Sequence, residues 1–190
     1  MKPVLFLDLD GVITDFVAGA YAAHGRERPP ALDWNFYHAW PMTDSDFWAP
    51  LGYDFWVGLP WTPEGKEFLR GAEDLIAYDR IALLTSPCDT PGGVEGKVEW
   101  VRRHMPDYRR RLFVGPPKHL VAGPGKVLVD DHDPNVTKFR EWGGRAVLAP
   151  RSWNTRAPEA CPTTNTFSVQ VVLAEVEREL RAAQNTLRGD

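Results

Sequence analysis

The sequence predicts an α/β fold: a Rossmann-like, three-layer α/β/α parallel sheet with a small, mainly helical cap inserted after the first strand. Three observations predict it. Short apolar runs alternate with amphipathic helical stretches, the pattern of strands joined by crossover helices. Each run stops at a polar or turn-forming residue. One aromatic-rich segment, between Asp15 and Trp61, interrupts the alternation. The chain has 190 residues, enough for one domain with a small inserted unit and a core that needs no staples.

Taken in order, Val4–Leu7 is an apolar run too short for a helix, and Gly11 soon follows it. Residues 15–61 form the expected cap, leaving 1–14 and 62–190 as the core. The cap segment is longer than a plain connection and carries no strand run. The stretch from Pro63 to Tyr78 places Phe68, Leu69, Ala72, Leu75 and Ile76 on one helical face, with Pro63 suited to a first turn. Ile81–Leu84 is the second strand. Val94–His104 is helical, with Val94, Val98 and Val101 together. Leu112–Val114 and Val127–Val129 are the third and fourth strands. Pro134–Trp142 is a short helix that stops at Gly143-Gly144. Ala146–Leu148 is the fifth strand. Ala149–Thr166, rich in Pro, Asn and Thr, reads as a long ordered loop. Ser168–Gln184 is the clearest helix, striped by Val169, Val172, Leu173, Val176 and Leu180, and Leu187–Asp190 is expected to fray. Unbroken apolar runs imply strands covered on both faces.

Composition excludes several classes. Apolar residues make up 43% and charged residues 25%, which is ordinary globular usage and not that of a disordered chain. A net charge of −4 argues against a partner that is a nucleic-acid polymer. No apolar run is long enough to span a membrane. The N-terminus reaches Asp8 too early for a signal peptide. Cys88 and Cys161 make no disulfide framework, so a cytoplasmic location is expected. A homodimer is compatible with all of this.

The chemistry sits where the runs stop, because ligands of open parallel sheets bind outside the carboxyl ends of the strands. The first strand delivers Asp8 and Asp10, the second Thr85 and Ser86, the loop after the third Lys118, and the fourth Asp130 and Asp131. Converging carboxylates repel unless a cation joins them, and oxygen-only ligands suit Mg²⁺. A cation, a hydroxyl at Thr85 or Ser86 and the Lys118 ammonium would cage a phosphate. One carboxylate can then attack phosphorus, and the Asp two residues on can protonate the leaving oxygen. Each feature alone has a bland reading as a turn, a helix cap or a surface lysine. The four in this order, each after its own apolar run, favour catalysis.

Asp8-Leu9-Asp10-Gly11-Val12 resembles the first motif of the haloacid dehalogenase superfamily. Leu84-Thr85-Ser86, Lys118 and Asp130-Asp131 resemble its second, third and fourth motifs, in order. The resemblance covers the chain from Lys2 to about Leu148. It implies Asp8 as nucleophile and Asp10 as general acid/base. It also implies Mg²⁺ held by Asp8, the backbone carbonyl of Asp10 and Asp130, with Asp131 just outside the ligand set and Asn135 orienting a water on the metal. The longer strings Asp10–Phe16, Thr85-Ser86-Pro87, Val129-Asp130-Asp131 and Glu95-Gly96-Lys97-Val98-Glu99-Trp100-Val101 are similar to the 5'(3')-deoxyribonucleotidases. That similarity implies that Lys97 binds phosphate and that Phe55-Trp56 lie beside a nucleobase. Two residues before Lys118, where that family often has Arg, this chain has Pro116. The implied function is a Mg²⁺-dependent phosphomonoesterase acting on nucleoside monophosphates through an aspartyl-phosphate. The residues themselves leave open another small phosphoester, such as a sugar phosphate, or a non-catalytic nucleotide-binding protein.

Ten aromatic residues fall between Trp34 and Trp61. Packing of a small cap accounts for most of them. One or two are expected to form a stacking wall for a base, and Phe16 is placed to face the same pocket. Asp44 and Asp46 read as ordinary helix caps.

Overall fold

Residues 4–7, 81–85, 112–114, 126–130 and 145–148 hydrogen-bond side by side into one parallel sheet, as five separate apolar runs must if each is to satisfy its backbone. The computed structural model describes residues 2–29, 33–115, 117–161 and 163–189. The strands are β1 (Val4–Leu7), β2 (Ile81–Thr85), β3 (Leu112–Val114), β4 (Lys126–Asp130) and β5 (Arg145–Leu148), in the spatial order β3-β2-β1-β4-β5. The chain winds outward from β1 through β2 to β3, then returns to the other side of β1. The switch point therefore lies between β1 and β4, where a crevice opens at the strand ends. Leu7 pairs with Val129 there, so the residues that follow them, Asp8 and Asp130, are neighbours.

Alternation along β1 sends Leu5 and Leu7 to one face and Phe6 to the other. The first face packs with Phe68 and Ala72 of α4 (Gly65–Leu75), Trp100 and Val101 of α5 (Gly93–His104), and Val172, Val176 and Leu180 of α7 (Val169–Arg188). The second packs with Val136 and Phe139 of α6 (Asp133–Glu141). Burying each such side chain contributes roughly 1.5–3 kcal/mol. The three-layer expectation holds.

Three details differ from the sequence reading. β3 is an edge strand, and Phe113 is 48% exposed. Its apolar run meets Phe6 on one face but is not covered on both. The fourth helix is shorter than Pro63–Tyr78, because Ile76 turns extended and a separate 3-10 turn spans Tyr78–Arg80. The last helix continues beyond Gln184. It runs to Arg188 and closes on Gly189, whose φ of 84° suits a glycine terminus. The Leu187 side chain fills the space beside Gly125, which anchors the final turn. Pro116 and Asp190 lie outside the described residues.

After β1 the chain forms α1 (Phe16–Ala23), a 3-10 turn at Phe36–Ala39, α2 (Asp44–Trp48) and α3 (Tyr53–Val57). Val17, Ala20, Tyr21, Phe36, Trp40, Phe47 and Leu51 make a small core of their own. Asp46 does cap its helix: its carboxylate accepts from the Thr43 N–H, while the Thr43 hydroxyl accepts from the Asp46 N–H. Helix α3 lies close on α5, because Gly93 and Gly96 leave room for Tyr53 and Trp56 where side chains would collide. That close approach sets the Trp56 ring over the Lys97 ammonium, 4.5 Å from the ring centre.

Candidate active site

Asp8 follows β1 directly, and its N–H extends the ladder to the Val129 carbonyl at 3.0 Å. The turn that follows is closed by N–H bonds from Val12, Ile13 and Thr14 to the Leu9 carbonyl. Gly11 takes a φ of 81° in this turn, and a Cβ there would overlap the Asp131 carboxylate. A side chain at position 11 would be excluded on both counts.

Lys118 opens the short 3-10 turn Lys118–Val121, and its side chain is buried. Its Nζ lies 2.6 Å from Asp8 Oδ2 and 2.6 Å from Asp130 Oδ2. Asp130 Oδ1 accepts from the His132 N–H at 2.9 Å and from Asn135 Nδ2 at 3.1 Å. Asp10 belongs to a second group. Its Oδ1 accepts from the Thr14 hydroxyl at 2.9 Å and its Oδ2 from Lys97 Nζ at 2.6 Å. Lys97 Nζ also reaches Thr85 Oγ1 at 3.2 Å and the Ser86 carbonyl at 2.8 Å.

Oxygens of Asp8, Asp130 and Asp131 lie within 4.8 Å of one another. Burial pushes the Asp8 carboxyl well above its ordinary range; Lys118 opposes this, while Asp130, Asp131 and Asp10 add to it. Asp131 is pushed up to about 7, mainly by burial and then by Asp130, against the pull of Arg151, Lys118 and the Trp153 hydrogen bond. Lys118 is held above its ordinary value, because Asp130 and Asp8 outweigh the effect of burial. Three buried carboxylates thus face one ammonium, and Asp131 Oδ1 is buried without a hydrogen-bond partner among the described residues. An excess of negative charge on oxygen ligands, with one oxygen unpartnered, fits a hard divalent cation.

A cavity of about 620 Å³ opens above this floor, lined by Asp8, Asp10, Lys97, Lys118, Ser86 and Asn135 below and by Phe16, Trp34, Trp48 and Trp56 above. Volume and mixed lining suit a small molecule. Of the two hydroxyls, Ser86 lines the cavity, while Thr85 is fully buried beneath it beside Lys97. Phe16 stacks on Trp56 with ring centres 5.4 Å apart and on Trp48 at 6.0 Å. Phe55 does not line the cavity; it packs edge-on against Phe16 from behind. Trp56 lines it yet is nearly buried, its indole N–H donating to the Leu51 carbonyl at 2.8 Å.

Sequence reasoning left Trp34 and Trp48 within an undifferentiated aromatic cluster. Trp34 stacks on His132 with ring centres 3.9 Å apart, joining cap to core at the cavity's edge. Trp153 was also missed; it donates from Nε1 to Asp131 Oδ2 at 2.9 Å. The signal available was its place just beyond the fifth strand's end, where the other site residues also follow strands.

Residues 2–165 match the family described as 5' nucleotidase, deoxy (pyrimidine), cytosolic type C protein. No curated protein matches the chain significantly. A haloacid dehalogenase-like family hydrolase from Streptococcus pneumoniae superposes with a TM-score of 0.51 at 12% identity, covering 92% of this chain and 98% of its own. That likeness supports the fold. The haloacid dehalogenase domain of effector protein Lem4 from Legionella pneumophila gives 0.42 at 12% identity, covering 96% and 97%. A phosphonoacetaldehyde hydrolase-like protein from Oleispira antarctica gives 0.43 at 15%, covering 96% and 85%. No helix of the described residues is long and apolar enough to cross a membrane. The chain belongs to the 5' nucleotidase, deoxy (pyrimidine), cytosolic type C family, and is a hydrolase of the phosphatase type.

Proposed function

We propose that the chain dephosphorylates nucleoside monophosphates, deoxyribonucleotides foremost, in a Mg²⁺-dependent reaction through an aspartyl-phosphate on Asp8. The observation that carries this reading is the placement of Asp8, Asp10 and Lys118 on the floor of an aromatic-roofed cavity, with Asp130 buried just beneath and paired to Lys118. The phosphate would rest on the floor, beside Ser86 and Lys97. The base would lie under Phe16, Trp48 and Trp34.

Asp8 attacks phosphorus as the ester P–O bond breaks, and the leaving oxygen takes a proton from Asp10. Asp10, now a carboxylate, accepts a proton from water as that water attacks the phosphorus of the aspartyl-phosphate. The Asp8–phosphate bond breaks, inorganic phosphate leaves, and both carboxyls return to their starting states. Lys97, at 2.6 Å, holds the Asp10 carboxylate in place. Lys118 bridges Asp8 and Asp130, favouring the ionised nucleophile against the burial that opposes it, and would balance charge on the phosphoryl oxygens. Mg²⁺ would be held by Asp8, Asp130 and the backbone carbonyl of Asp10, with Asp131 beside it. When bound it supplies charge neutralisation at the transferring phosphoryl group. Asn135 orients Asp130 through two hydrogen bonds, at 3.1 and 3.2 Å. A cytoplasmic location accords with the family's cytosolic type and with two free cysteines.

The test is phosphate release from a panel of deoxy- and ribonucleoside monophosphates and sugar phosphates, with Mg²⁺ and with chelator. Turnover that prefers nucleotides and is lost with chelator is expected. Equal turnover of sugar phosphates would overturn the nucleotide reading, and activity unaffected by chelator would overturn the metal.

A further inference from the structure

The segment after β5 grips the turn that follows Asp10 and the neighbouring acid more tightly than a connection requires. Arg151 is 2% exposed. It donates from Nε to the Gly11 carbonyl at 2.6 Å, and from Nη1 to Glu64 Oε1 at 2.5 Å and to the Asn165 carbonyl at 2.6 Å. Asn154 donates from Nδ2 to the backbone carbonyls of Asp131 at 2.9 Å and Ala149 at 2.8 Å. Its Oδ1 accepts from the backbone N–H of Arg151 at 3.3 Å and of Arg156 at 3.0 Å. Between these two anchors, Trp153 donates its indole N–H to Asp131 Oδ2 at 2.9 Å. The Asp131 carboxylate in turn fills the space over Gly11 that a Cβ would need.

These bonds converge on one group. Asp131 is held through its main chain by Asn154 and through its side chain by Trp153, while its Oδ1 has no partner among the described residues. An indole N–H is a neutral, directional donor on a rigid ring. It fixes a carboxylate's rotation without competing for the charge as a lysine would. Groups that orient the ligands of a metal in this way set its affinity. We infer that Trp153, locked by Arg151 and Asn154, is a positioning residue that sets the Asp131 carboxylate toward the cation site and keeps the Gly11 turn closed. This inference rests on the proposed reading of the acidic cluster as a Mg²⁺ site.

The experiment uses the full chain and Trp153→Phe, which keeps an aromatic ring against the cap's small core and deletes the N–H. Mg²⁺ binding is measured by calorimetry without substrate, and kcat and KM at saturating Mg²⁺. The variant is expected to bind Mg²⁺ about tenfold or more weakly and to lower kcat with KM unchanged. Both effects should vanish when Trp153→Phe is placed in an Asp131→Asn background. Unchanged Mg²⁺ affinity and kcat, with only a lower melting temperature, would overturn the inference. If the wild-type chain binds no divalent cation, the metal reading fails. The inference then falls with it, whereas a wild-type chain that binds Mg²⁺ and a Trp153→Phe variant that binds it equally well overturn the inference alone. If Trp153→Phe does not fold, the indole N–H resonance of Trp153 in the wild-type chain decides. A shift on adding Mg²⁺ sustains the coupling, and a stationary signal overturns it.

Discussion

At and just beneath the floor of the cavity, Asp8, Asp10, Lys118 and the buried Asp130 are polar residues held under tight constraint by strand ends and a short turn. In the roof, Phe16, Trp34, Trp48 and Trp56 are apolar residues on short helices and connections. The floor is costly to bury and is stabilised by ion pairs, so each member has a partner that fixes it. The roof is cheap to bury, and its rings divide between holding the cap together and facing the cavity. Tyr21, Phe36, Trp40 and Phe47 do the first. The difference means that deletions in the floor should cost turnover, and deletions in the roof should cost either stability or affinity, according to which way the ring faces.

The largest break in that contrast would come from Asp8. Asp8→Asn removes the proposed nucleophile and also one of three mutually repelling buried carboxylates. Phosphate release should fall by more than about 10³-fold, while the melting temperature in chelator stays level or rises. A variant that unfolds, or that keeps a tenth of its turnover, would remove Asp8 from its role.

The floor was legible because its residues sit at fixed places: the first polar positions after apolar runs that could only be strands. The order of the acids, hydroxyls and lysine could therefore be read without contacts. What could not be read was the order of strands in space. The run Leu112–Val114 looked like any covered strand, yet it borders solvent because nothing in three residues encodes an edge. Likewise the partners of Lys97, which are Asp10, Thr85 and Ser86, could not be read, because a helix position gives a direction but no partner. Phe55 and Trp56 are adjacent in sequence, so a helix turns them to different sides, and only Trp56 meets the cavity. The hold of Trp153 on Asp131 spans 22 residues, and no local pattern marks it.

Phe47 tests the half of the roof that packs. It is fully buried among Phe36, Tyr37, Trp40 and Trp48. Phe47→Ala should cost about 3–5 kcal/mol by denaturant unfolding, with kcat/KM at low temperature little changed. A loss of affinity without loss of stability would place Phe47 among the rings that face the cavity.

The floor has a pH signature that the roof lacks. Asp131 titrates at about 7 in the folded chain against an ordinary value of 3.8, and Asp8 shifts the same way. The folded chain therefore holds these protons more tightly than the unfolded one. Their contribution to stability is whole below about pH 4 and is lost as pH rises through about 7. For Asp131 alone this is at most about 4 kcal/mol. Melting of the chelated protein should fall across that range. Adding Mg²⁺ should restore it, and restore more at pH 8 than at pH 5, because the cation favours the ionised carboxylates. A Mg²⁺ effect independent of pH would show that no proton leaves these acids on binding.

The smallest effect belongs to the rings that face the cavity, and it is the one that sharpens the contrast. Trp48 stacks on Phe16 and lines the cavity, and meets Phe47 and Tyr37 at near-perpendicular ring angles. Stacking of a base on such a ring is worth about 1–3 kcal/mol. Trp48→Ala should raise KM for a nucleoside monophosphate by that amount and leave KM for a phosphoester without a base unchanged. The two substrates share the floor and differ only in what meets the roof. An equal rise for both would mean that Trp48 acts by holding the cap in place, and the division of the cap's aromatics into packing and recognition would then run elsewhere, through Trp34 or Phe16.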